Sequence, residues 1–82
     1  MNMVDIAARL QARFGLGDRP AIRMRLYRRL EREVELHGAP VYEQIAAAAA
    51  DSDTADNPGH YFARTVTIRL RDRHFLQQGG EL

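Results

Sequence analysis

The sequence predicts an all-α fold: a compact bundle of three or four short helices. Three observations predict it. Apolar residues recur at helical spacing, most clearly Ile22, Leu26, Leu30 and Val34. Proline and glycine stand where helices of ordinary length start and stop, with Pro20, Pro40 and Pro58 at starts and Gly15 and Gly38 at stops. The run Ala46 to Ala50 has the highest helix propensity available. A chain of 82 residues has the size of one domain. Residues 1–76 are expected to form it, and residues 77–82 read as a disordered tail.

The elements follow in order. Asn2 is positioned to cap a first helix carrying Met3, Ile6, Ala7, Leu10 and Phe14 on one face. Gly15 ends it in a left-handed conformation, with Leu16 making the closing apolar contact. Asp18 is the expected N-cap of a second helix from Arg19 to Leu36, with Pro20 in its first turn and His37 beside its C-terminal end. Pro40 opens a third helix over residues 40–50. Residues 51–56, which include Asp51, Ser52, Asp53 and Asp56, lack apolar periodicity and are expected to be a solvated acidic loop. Asn57 followed by Pro58 then starts a fourth helix, residues 58–74, with Phe62, Val66 and Leu70 on one face. Within it, residues 65–71 also alternate polar and apolar and are rich in β-branched side chains. That supports an α+β alternative, in which a C-terminal strand pairs across a dimer.

Composition narrows the function. Cysteine is absent, so disulfides, thiol catalysis and thiolate metal sites are excluded together. No apolar run reaches the ~18 residues of a membrane span, and no secretory leader is visible, so the expected location is the cytoplasm. The net charge of +1 conceals a pattern. Residues 1–37 hold eight arginines against five acids, residues 38–57 no arginine against four acids, and residues 58–82 four arginines against two acids. All twelve basic residues are arginine. Selection for bidentate phosphate or carboxylate contacts would produce this bias, and so would a GC-rich genome.

The feature with most chemical content is the stripe Arg25, Arg28, Arg29 and Arg32, spaced i, i+3, i+4, i+7 on the second helix. Partial neutralisation is expected from the pairs Arg29–Glu33, Arg28–Glu31 and Arg32–Glu35. Arg25 has no acid at either spacing. The stripe, with Arg64 and Arg71 on the fourth helix, forms the candidate binding set. A phosphate backbone is one match for it and an acidic protein surface is another. No enzyme is expected. His37, His60 and His74 form no tight ligand pair, Ser52 sits among acids, and no phosphate-cradling glycine motif occurs. The acidic stretch also lacks the glycine and glutamate of a calcium loop. Neither a cofactor, a metal nor a small-molecule substrate is expected.

The run from His37-Gly38-Ala39-Pro40-Val41-Tyr42 through Asn57-Pro58-Gly59-His60-Tyr61-Phe62 to Leu70 resembles the C-terminal helical module of DnaD-like replication-initiation proteins. It departs from that pattern at Arg69-Leu70-Arg71-Asp72, where an Ile-Leu-aromatic segment belongs. The Asn-Pro-x-x-Tyr-Phe start is also similar to a helix of sigma-factor-like DNA-binding proteins. Either resemblance implies a bacterial or phage protein working on DNA through helices and partner contacts, and neither transfers site residues. The expected function is therefore that of a non-catalytic, DNA-associated accessory protein. The alternative is an adaptor whose arginine face binds an acidic partner, with Tyr27, Tyr42 or Phe75 buried in the contact, or a homodimer formed through the alanine helix.

Overall fold

A computed structural model describes residues 5–75 of the chain. Four helices follow one another: α1 (Ile6–Phe14), α2 (Pro20–His37), α3 (Ala39–Ser52) and α4 (Pro58–Asp72). The described residues contain no strand, so the architecture is the all-α bundle. α1 packs on α2, α2 on α3 and α3 on α4. The bundle is closed by Phe14 of α1 stacked on Phe62 of α4, ring centroids 4.6 Å apart.

One core serves all four helices. Ile6 and Leu10 enter it from α1, Leu26, Tyr27, Leu30 and Val34 from α2, Val41, Ile45, Ala48 and Ala49 from α3, and Phe62, Val66 and Leu70 from α4. The α2 face therefore differs from the predicted one at both edges. Ile22 is 42% exposed, while Tyr27 is fully buried with its hydroxyl donating to the Gly15 carbonyl at 2.8 Å. A tyrosine can occupy this interior because its polar tip finds an acceptor where the α1–α2 turn passes. Leu16, in that turn, packs against the core as the sequence suggests.

Proline geometry sets the helix starts. The residue before proline is held out of the helical region. Arg19 therefore adopts φ −127°, ψ 74° and becomes the α2 N-cap, displacing Asp18 from that role, and no side chain caps this helix. Asn57 is placed the same way before Pro58, and its side chain accepts from the His60 amide at 3.2 Å, as predicted. The expected Asn2 cap, Met3 and the 77–82 tail lie outside the described residues.

The predicted end of the third helix moves. Asp51 and Ser52 belong to α3 and not to an acidic loop. The Ser52 hydroxyl donates to the Ala48 carbonyl at 2.7 Å, which lets it be buried without an unsatisfied donor. The fourth helix forms as expected, and the strand alternative does not, since residues 65–71 lie within α4. Phe62, Val66 and Leu70, at i, i+4 and i+8, are all fully buried, and the Thr67 hydroxyl donates to the Ala63 carbonyl at 2.8 Å. Tertiary burial of that stripe outweighs the local β preference of Thr65, Val66, Thr67 and Ile68. α4 then closes in a Schellman motif. The Phe75 amide donates to the Leu70 carbonyl and the His74 amide to the Arg71 carbonyl, with His74 at φ 64°.

Ion pairs tie helix ends together. Arg13 reaches Asp53 at 2.6 Å and the Ala49 carbonyl at 3.3 Å, joining the last turn of α1 to the end of α3. Arg69 joins α4 to α3 through Gln44 and Asp51, both at 3.1 Å.

Candidate nucleic-acid interface

α2 is buried along Leu26, Tyr27, Leu30, Glu33 and Val34. At 100° per residue the opposite direction is taken by Arg25, Arg28 and Arg32, and all three are exposed. Arg29 stands at the edge of this face, half-buried. Its Nε donates to Glu33 at 2.9 Å, and Glu33 also lies 3.3 Å from His37 Nε2. Glu33 is itself buried, so Arg29 serves chiefly to hold a carboxylate inside the bundle. The Arg29–Glu33 pair was expected, but the stripe loses Arg29 as a free cation.

The other two expected pairs do not form among the described residues. Glu31 turns to α1, where its Oε2 accepts from the Ala7 amide at 3.2 Å. A carboxylate borrowed from α2 thus caps the first turn of α1, where helix amides lack partners. Drawn away in this way, Glu31 leaves Arg28 unpaired, and Arg32 has no ion pair to Glu35 either. Arg25, Arg28 and Arg32 remain as three guanidinium groups without an ion pair among the described residues, over ~10 Å of helix.

Arg64 and Arg71 stand on α4 and are exposed. They follow His60 and Thr67 by four residues each and share their stripe, together with the half-exposed Tyr61 and Ile68 beside it. The arginines predicted as one set therefore occupy two helices.

Between α2 and α4 lies a groove of about 460 Å³, lined by Arg19, Ile22 and Arg23 on one side and His60, Ala63 and Thr67 on the other. Arg23 is half-buried in it. A Cβ added at Gly59 would lie 2.7 Å from Arg23 Nη1 and 3.1 Å from the Phe14 carbonyl oxygen. Position 59 must therefore stay bare for the guanidinium to lie there. The sequence reading missed this place because its members are separated by more than thirty residues; the unpaired Arg19 and Arg23 before an acid-poor helix start were the available signal.

The aromatic residues named for a partner contact differ in exposure. Tyr27 is fully buried, and Tyr42 and Phe75 are partly buried against the core. Ala48 and Ala49 are consumed inside the domain, leaving Ala46 and Ala50 as the exposed alanines of that run. No three His, Asp or Glu side chains converge to hold a metal ion among the described residues, and no described helix is long and apolar enough to cross a membrane. No family model matches the chain, and no curated protein or solved structure matches it.

Proposed function

We propose that the protein is a non-catalytic nucleic-acid-associated factor whose α2 outer face, through Arg25, Arg28 and Arg32, contacts the phosphate backbone of duplex DNA. The observation that carries this reading is that, among the described residues, those three side chains make no ion pair, although Glu31 and Glu35 lie within one turn of Arg28 and Arg32. A guanidinium without a protein carboxylate retains its full donor set for phosphate oxygens. Three such groups spread over ~10 Å match successive phosphates, which recur every ~3.4 Å along the axis of one strand.

Three phosphate contacts predict a slope of about −2.7 for log K against log salt, independent of base sequence. Arg25→Ala, Arg28→Ala and Arg32→Ala should each lower its magnitude by about 0.9. Arg29→Ala should change it little, because Arg29 is already held by Glu33. Binding titrations on two unrelated duplexes across a salt series test this. Affinity that ignores salt, or that is unchanged by all three substitutions in folded protein, removes the proposal.

A second reading rests on α4, where Tyr61 is 43% and Ile68 45% exposed beside Arg64 and Arg71. An apolar pair flanked by two cations suits an acidic protein surface. In that case binding would depend on Tyr61 and Ile68 and would be much less sensitive to salt.

A further inference from the structure

The α2–α4 groove has no role in the reading above, since Arg19 and Arg23 leave α2 on the side opposite Arg25, Arg28 and Arg32. Its cationic members lack acceptors. Among the described residues neither Arg19 nor Arg23 makes a side-chain hydrogen bond or ion pair. Asp18, the one acid among the described residues that line the groove, bridges to neither. Surface arginines are often solvated in this way, but Arg23 is half-buried and its head is confined. It lies over the bare Cα of Gly59, and its Nη2 is 3.7 Å from where a Gly17 Cβ would be. A guanidinium restricted by packing has lost much of its rotamer freedom before any ligand arrives, which lowers the cost of binding.

We infer that this groove is a binding site for a small phosphate monoester carrying a flat or apolar body. The planar forks of Arg19 and Arg23 match phosphate oxygens, and His60 adds a third polar group on the facing wall. Phe14, Ile22, Leu26 and Ala63 supply apolar wall for the rest of the molecule. The exposure of Ile22, which departs from the predicted core, places an apolar side chain at this lip. The volume of about 460 Å³ falls in the range of small-molecule sites. Such a ligand was not expected from the sequence.

The test is an NMR titration of the whole chain with adenosine monophosphate, with adenosine and inorganic phosphate as separate arms. Adenosine monophosphate should shift the Gly17, Gly59 and His60 amides and the Arg23 side-chain N–H, with adenosine at least about tenfold weaker. Arg23→Met keeps the aliphatic stem and should abolish the shifts. Arg19→Gln, at an exposed position, should weaken binding roughly tenfold without affecting the fold. Arg25→Gln should leave binding unchanged, which separates this site from the α2 outer face. No shifts at about 10 mM adenosine monophosphate, equal binding of adenosine, or shifts that survive Arg19→Gln in folded protein would each overturn the inference. If Arg23→Met fails to fold, the Arg19→Gln comparison still decides.

Discussion

Leu30→Ala and Ile22→Ala make a paired test of the fold, because both residues sit on the same predicted stripe of α2. Leu30 is fully buried and Ile22 is 42% exposed. Truncating Leu30 removes three buried carbons, about 2.4 kcal/mol of transfer free energy at ~0.8 kcal/mol each. The cavity left among Leu26, Val34 and their neighbours raises the cost to about 3–4 kcal/mol. Truncating Ile22 removes the same number of carbons, but roughly half their surface is already wet and no closed cavity forms, so about 1 kcal/mol is expected. For 82 residues the total stability is about 4–12 kcal/mol. Leu30→Ala should therefore lower Tm by about 12–30 °C, and Ile22→Ala by only about 4–8 °C. Urea unfolding followed by helical circular dichroism measures both values. Equal losses from the two variants would mean that the buried face of α2 is wrongly oriented.

Other expectations follow from single interactions. Tyr27→Phe leaves the Gly15 carbonyl without its donor and should cost about 1 kcal/mol by urea denaturation. Gly38, at φ 74° and ψ −143°, occupies backbone space closed to other residues, so Gly38→Ala should destabilise by about 1–3 kcal/mol. The reverse change at the end of α4 should help. His74 holds φ 64° in a Schellman turn, and His74→Gly is expected to stabilise by ~0.5–1 kcal/mol, read as a higher Tm. Asn57→Ala removes the α4 cap and should cost about 1 kcal/mol, with Asn57→Asp close to neutral.

Local chemistry made much of the bundle legible from sequence. Helix starts at Pro20 and Pro58, the stops at Gly15 and Gly38, the Asn57 cap and the Phe62–Val66–Leu70 stripe depend on residues within one or two turns of each other. Backbone sterics and helical periodicity act at that range, so they can be read without knowing the fold. The same holds for the i, i+4 pair Arg29–Glu33, where neighbours on one helix meet whatever packs around them.

What the tertiary structure alone decided involves partners far apart in the chain. Glu31 had Arg28 one turn away, yet it caps α1 through Ala7, because docking α1 on α2 brings unpaired amides to it. That choice frees Arg28, so the charge of the proposed interface follows from helix packing as well as from arginine spacing. Tyr27 enters the core only because the α1–α2 turn presents the Gly15 carbonyl to its hydroxyl. Ser52 and Asp51 extend α3 because burial and Arg69 stabilise residues whose local preference is a loop. The groove needs Arg19 and Arg23 from one helix and Gly59 and His60 from another. Periodicity tells which side of each helix is apolar; it carries no information on which polar group of one helix will face which of another. That is determined only when the helices dock.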